Sequence, residues 1–162
     1  MVIGGSRLIL IGRIEMSKLV KELMIDKFVK VYEDDQIFEA VAKVAEDCET
    51  LLACVVDSEG RLKGIITPKE LLKAVEVCEY GVTRRPFFSG REVLHLLSSR
   101  YARDIMSAPI SVKADDDVEK AIVIMLDKGF YEVPVVDKDG KVVGEINYFG
   151  VISGSIEHCK RE

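Results

Sequence analysis

Apolar positions alternate between two periods along this chain of 162 residues, and the order of the periods repeats. Phe28 to Tyr32 reads as a strand, and Glu33-Asp34-Asp35 supplies turn and cap chemistry after it. Ile37, Ala40, Val41, Val44 and Ala45 then recur at helical spacing. Leu51 to Val56 is an apolar run short enough for a strand buried on both faces. Asp57-Ser58-Glu59-Gly60 reads as a hairpin turn with Gly60 at positive φ, and Leu62 to Ile66 as the return strand. A helix opens at Thr67-Pro68-Lys69-Glu70. Thr67 fits the N-cap, Pro68 the first helical position, and Glu70 completes a capping box. That helix is expected to reach about Glu79 and to bury Leu71, Leu72, Ala74 and Val75.

The second half restates the order. Ile110-Ser111-Val112 reads as a strand, and Asp115-Asp116-Asp117 precedes a helix burying Val118, Ala121, Ile122 and Met125, closed by Gly129. Val133 to Val136 and Lys141 to Ile146 flank the turn Asp137-Lys138-Asp139-Gly140, and a last helix runs from Asn147 to about His158. Asp57 and Asp137, Gly60 and Gly140, and Gly64 and Gly144 all stand 80 residues apart. A self-match at fixed offset marks an internal repeat. Each half is β-α-β-β-α and cannot cover its own sheet, so the two should pack together with approximate two-fold symmetry. The expected division is an N-terminal arm (1–16), repeat 1 (17–79), a helical connector (80–101) and repeat 2 (102–162), in an α+β fold. Ser17 would cap a short helix through about Met24. The connector carries a capping-box pattern, Ser89-Gly90-Arg91-Glu92, and an apolar face of Val93, Leu94 and Leu97.

Composition narrows the function. The formal net charge of −5 argues against a non-specific polyanion binder and makes nucleic acid an improbable partner. Leu8-Ile9-Leu10-Ile11 is too short to span a bilayer and is followed by no cleavage pattern, so neither membrane nor secretion is expected. The four cysteines include no C-x-x-C pair, and Cys54 in a strand reads as a buried small apolar residue. A cytoplasmic, reducing location follows. Neither His95 nor His158 has a nucleophile and acid at recognisable spacing, so the chain is not expected to be an enzyme. The three consecutive aspartates are better explained by helix capping than by a metal.

Val55-Val56-Asp57-Ser58-Glu59-Gly60-Arg61-Leu62-Lys63-Gly64-Ile65-Ile66-Thr67 and Val135-Val136-Asp137-Lys138-Asp139-Gly140-Lys141-Val142-Val143-Gly144 resemble the cystathionine-β-synthase (CBS) domain family, arranged as a tandem pair. Asp104-Ile105-Met106 with Pro109-Ile110-Ser111-Val112 resembles the entry to such a repeat. The resemblance covers about residues 17–79 and 102–158. It implies a non-catalytic regulatory module, requiring no cofactor, that binds an adenosine-type ligand (AMP, ADP, ATP or S-adenosylmethionine) between the repeats. It also implies energy sensing, signalling to a regulated protein, and a homodimer formed through helices around Ile37–Val44 and Val118–Met125.

In the family pattern Gly-h-h-Thr/Ser-x-x-Asp the hydroxyl meets phosphate at a helix N-terminus and the acid meets the ribose. Gly64-Ile65-Ile66-Thr67-Pro68-Lys69-Glu70 matches it with Glu70 for Asp, and Gly144-Glu145-Ile146-Asn147-Tyr148-Phe149-Gly150 departs at both positions. The resemblance places Ile66, Thr67, Glu70, Val29, Lys30, Val31, Ala53 and Cys54 at the better cleft. It places Ile110, Ser111, Val112, Val133, Pro134 and Asn147 at the poorer one. Thr67, Glu70 and Asn147 all have capping roles that need no ligand. Degenerate clefts on a ligand-free dimeric scaffold or adaptor are the alternative. Arg84, Arg85, Arg91, Arg100 and Arg103 form either a cationic rim or ordinary surface charge, and Tyr80, Phe87 and Phe88 are read as anchors for the connector.

Overall fold

The computed structural model describes residues 18–47, 49–80 and 89–159. The expected arm, the Ser17 cap, Cys48, and Arg84, Arg85, Phe87 and Phe88 of the connector lie outside the described residues.

Two three-stranded sheets form the body. β1 (Val29–Tyr32), β2 (Ala53–Val56) and β3 (Leu62–Ile66) make the first, in spatial order 1-2-3. β4 (Val112–Lys113), β5 (Glu132–Val136) and β6 (Val142–Asn147) make the second, in the same order. In each sheet the first pair is parallel and the second antiparallel. The parallel pairs are joined through α1 (Ile37–Glu46) and α5 (Val118–Lys128), as a parallel connection requires. Both hairpins close as expected: Gly60 and Gly140 have φ of +82° and +78°. Asp57 Oδ1 accepts from the amides of Glu59 and Arg61, and Asp137 Oδ1 accepts from those of Asp139 and Lys141. These Asp residues hold the turns, which explains their recurrence.

Alternation along the strands builds three cores. Val29, Val31, Ala53, Val55 and Ile66 face α1 and α2 (Pro68–Tyr80), and Val133, Val135 and Ile146 face α5 and α6 (Tyr148–Cys159). The opposite faces meet each other: Leu52, Cys54, Val56 and Ile65 pack with Ile110, Phe130 and Val142 between the halves.

Each half also lends its entry segment to the other. Ala102 and Ile105 of α4 (Ala102–Ile105) complete the first core, while Val20 and Leu23, at a 3-10 turn (Val20–Glu22), complete the second. The exchange is fixed by paired backbone hydrogen bonds, Ile25 with Glu145 (2.9 and 2.9 Å) and Ser107 with Ile65 (2.8 and 3.1 Å). Close passage explains Gly64 and Gly144. A Cβ on Gly64 would lie 2.6 Å from the Ser107 carbonyl oxygen, and one on Gly144 would lie 2.1 Å from that of Ile25. The expected helix from Ser17 through Met24 is only this 3-10 turn in its described part: the amides of Glu22, Leu23 and Met24 close the turn on Leu19 and Val20, while those of Val20, Lys21 and Ile25 on either side bond to the other half.

Several faces differ from those expected. On α2 the buried residues are Leu71, Ala74 and Val77; Leu72 is exposed, since three-residue spacing keeps the stripe narrow. On α3 (Gly90–Ser98) the capping box of Ser89 and Glu92 forms, but Val93 and Leu96 turn inward while Leu94 and Leu97 stay exposed. Ile37 and Ala40, and Val118, Ala121 and Met125, are spent on the cores, so α1 and α5 present Phe38, Val123 and Leu126 outward. The strand expected at Ile110-Ser111-Val112 starts at Val112, leaving Ser111 before it.

Candidate functional site

A cleft of about 920 Å³ opens between the halves. The first half supplies Leu51 and Leu52, then Thr67, Lys69, Glu70, Leu72, Lys73 and Glu76 from the start of α2. The second half supplies Ser107 and the run Lys128 to Glu132 between α5 and β5. Leu51, Leu52, Leu72, Phe130 and Tyr131 make the wall predominantly apolar, with charged groups placed on it, the usual constitution of a small-molecule site.

Thr67 and Glu70 stand at the mouth of α2, both half-buried. Glu70 Oε2 accepts the Thr67 amide at 3.0 Å, the return half of the expected capping box. The other half differs. The Thr67 hydroxyl donates to the same Glu70 carboxylate oxygen, and the Glu70 amide donates to the Thr67 carbonyl oxygen at 3.1 Å. Lys73 is tied to Glu92 of α3, which anchors α3 beside the cleft. That bond, with the Ser89 amide, holds the Glu92 carboxyl below its ordinary range.

The other residues implied by the resemblance are placed differently. The side chains of Val29, Val31, Ala53 and Ile66 belong to the first core and that of Cys54 to the core between the halves; none lines the cleft. Burial pushes the Cys54 thiol well above its ordinary pKa, so it is an inert apolar filler. Lys30 is exposed, its ammonium 5.6 Å from the centre of the Tyr32 ring, and with Val29 it borders a separate, shallower hollow of about 410 Å³.

In the second half Val133 is core and Pro134 is fully buried. Asn147 Oδ1 accepts the Gly150 amide at 2.9 Å and so caps α6. At Gly150, the counterpart of Glu70, a Cβ would lie 3.0 Å from the Leu23 carbonyl oxygen. Tyr148 stacks on Phe149 and meets Tyr131, ring centres 4.2 and 5.5 Å apart. The two ends of the inter-repeat groove are therefore unequal.

The periodicity gave no sign of Glu132 and Glu145. Glu132 lines the cleft and Glu145 lies behind it, with 4% and 1% of their surfaces exposed. Burial raises both carboxyls well above the ordinary range; repulsion from Glu132 adds to it at Glu145, and at Glu132 the Leu51 amide and the neighbouring Glu145 pull the other way. A signal did exist: 80 residues earlier the same positions hold Leu52 and Ile65.

The charged motifs elsewhere are engaged. Asp115 pairs with Lys21, Asp116 with Lys120, and Asp117 Oδ1 accepts the Glu119 amide at the start of α5. Arg103 is paired with Asp34 and lies over the Tyr101 ring. His95 donates through Nε2 to the Asp104 carbonyl oxygen.

Comparison with known proteins accords with this geometry. The CBS domain family model matches residues 20–77 and 102–154. The chain is 24% identical over 151 residues to the chloroplastic CBS domain-containing protein CBSX1 of Arabidopsis thaliana, covering 82% of this chain and 64% of that one. It is 50% identical over 91 residues to the uncharacterized protein MK0525 of Methanopyrus kandleri, covering 56% and 39%. The chain thus spans less than two thirds of the length of these relatives. Among solved structures it is similar to a CBS domain-containing protein of Thermotoga maritima (28% identity, TM-score 0.66, 85% of this chain and 93% of that one). It is also similar to CBSX2 in complex with AMP (23%, 0.68, 86% and 97%) and to the cytosolic domain of the Mg2+ channel MgtE in complex with ATP (27%, 0.59, 80% and 46%).

Proposed function

The chain belongs to the CBS domain family, as a tandem pair, and on that premise we propose that it is a non-catalytic regulatory module that binds an adenosine-type ligand in the cleft at Thr67 and Glu70. The observation that carries this reading is the cleft itself: both halves build it, and the N-terminus of α2 opens into it with a hydroxyl and a carboxylate side by side. Phosphate is favoured at that helix end, beside the exposed ammonium of Lys69. Both internal bonds of Glu70 fall on Oε2, so Oε1 is available to a ribose hydroxyl. The neighbours whose structures hold AMP and ATP support the ligand class.

Regulation then requires that the ligand bind one arrangement of the halves better than another, since only differential affinity shifts such a balance. The exposed Phe38, Val123 and Leu126 support a homodimer in which that shift is passed to a regulated protein. Among the described residues no helix is long and apolar enough to cross a membrane. We assign the module to the cytoplasm.

The test is calorimetric titration with AMP, ADP, ATP and S-adenosylmethionine. One of them should bind, and Thr67→Ala and Glu70→Ala should each weaken it about tenfold, the loss of one charge-assisted hydrogen bond. No heat and no melting shift at millimolar ligand would sink the proposal. The second reading, a ligand-free scaffold, is favoured by one observation: Thr67 and Glu70 already satisfy each other. It predicts partner binding that is indifferent to nucleotide.

A further inference from the structure

Two carboxyl groups are buried where the repeat calls for hydrocarbon. Glu132 and Glu145 occupy the positions of Leu52 and Ile65, on the sheet face that meets the other half. Pro134 pairs with Glu145 and Glu132 with Asn147, so the two glutamates are diagonal neighbours on one face of β5 and β6. Each carboxyl lies within electrostatic reach of the other. Glu132 Oε1 accepts the Leu51 amide at 2.6 Å, and its side chain forms part of the cleft wall. Among the described residues neither oxygen of Glu145 has a hydrogen-bond partner, and the buried Thr50 hydroxyl, next in the chain to Leu51, has none.

The charged groups facing the pair do not neutralise it. From β2, Cys54 presents a thiol that burial, and after it the two carboxylates, hold protonated. From the end of α1, Asp47 adds a further negative charge. From the segment before β1, Lys27 faces Glu145, but its ammonium is bound by Asp47 at 3.2 Å and Glu49 at 2.8 Å. Two neighbouring carboxylates, out of water, cannot both stay ionised without compensation; one keeps a proton. Ionised Glu132, accepting Leu51 N–H, is the natural acceptor of that proton's hydrogen bond from Glu145.

We infer that Glu132 and Glu145 form a proton-sharing carboxyl pair in the cleft wall, and that a ligand seating an amino group against Glu132 releases the shared proton to solvent. The inference rests on the cleft being the ligand site. An amino donor stabilises the ionised form of Glu132, which lowers the proton affinity of the pair. Reciprocity then requires that removing the proton favour the ligand. Binding therefore tightens as pH rises through neutrality, and the cleft selects ligands whose amino end lies at β5.

The experiment is calorimetry with adenosine, which has no titrating phosphate, from pH 6 to 8.5 in two buffers of different ionisation enthalpy. Wild-type protein should release a proton and gain affinity, by about tenfold per pH unit at full linkage. Glu145→Ile, which copies the other half, and Glu145→Gln, which keeps the shape, should bind with no pH dependence. Equal pH dependence in wild type and both variants overturns the inference. Absence of adenosine binding by all three at every pH overturns the reading of the cleft and the linkage with it. Melting temperatures then separate the two failures: a fall with rising pH in wild type but not in Glu145→Gln shows the pair holding its proton while the cleft reading alone has failed.

Discussion

Gly144→Ala should disable the exchange between halves, and its cost can be worked from the crossing at β6. The added Cβ would stand 2.1 Å from the Ile25 carbonyl oxygen and 2.7 Å from the Met24 side chain. Met24 can swing aside, but Ile25 is backbone, held to Glu145 by two hydrogen bonds of 2.9 Å. An ordinary carbon–oxygen contact needs about 3.3 Å, so the strand must retreat by roughly 1 Å, beyond the reach of both bonds. Each bond abandoned in a buried place costs about 1–3 kcal/mol. The sum is about 4 kcal/mol, a large share of the ~5–15 kcal/mol that holds a typical domain together. Gly140→Ala is the control: it meets nothing within 4 Å and suffers only its φ of +78°, which costs about 1 kcal/mol. Urea unfolding of both variants, followed by circular dichroism, reads the difference as a shift in midpoint at constant slope. Should Gly144→Ala fall within 1 kcal/mol of wild type, the account of these glycines as crossing points is wrong.

The remaining expectations concern charge and caps. The buried glutamates bind a proton when folded that the unfolded chain has released above its ordinary carboxyl pKa of about 4.3. Their contribution is therefore complete in acid and is lost as pH rises towards their raised values, by up to about 1.4 kcal/mol per pH unit for each linked proton, measurable as a melting temperature lower at pH 8.5 than at pH 5.5. The opposite sign holds for Asp35, Asp104 and Asp116, whose carboxyls are held low mainly by ammonium and amide donors. Their contribution is present above the ordinary carboxyl pKa and is lost as pH falls below it, so acid melts should show a second decline. Asn147→Ala removes the α6 cap and should cost about 1 kcal/mol in urea unfolding, whether or not ligand is present. Asp57→Ala and Asp137→Ala should each cost about 1–2 kcal/mol by the same measurement, since each strips one acceptor from two turn amides.

Much of the fold was legible because its signals are local. Strand periods, the Asp–Gly turns and the Thr67-Pro68 helix start are properties of a few adjacent residues, and the offset of 80 duplicated them. The exchange of entry segments was not legible. Val20 and Leu23 make a good apolar face in sequence, but no local property says which sheet receives it. Leu72 and Leu94 went astray for a related reason: periodicity marks them as apolar without saying that a cleft or solvent, instead of a core, lies opposite. At the site, Thr67 and Glu70 were found through a motif, yet five of the neighbours assigned with them are core. Residues flanking a motif along a strand alternate between faces, and the motif alone does not say which face the cleft adjoins.

The crossings also bear on how two unequal ends arise from one repeat. The repeat fixes Gly64 and Gly144 because each is crossed by the other half, and those positions cannot drift without separating the halves. The residues three and six places further on are free of that constraint in the first half, where Thr67 and Glu70 open into the cleft. In the second half Leu23 lies against Gly150 and Gly154, and a Cβ at Gly154 would come within 2.6 Å of its side chain. A side chain restored at position 150 would place its Cβ 3.0 Å from the Leu23 carbonyl oxygen, so the backbone that carries Leu23 into the second core would have to give by a few tenths of an ångström. The asymmetry is thus held by packing as well as by the loss of polar groups. Restoring Thr and Glu at positions 147 and 150 should therefore lower stability without creating a second binding site.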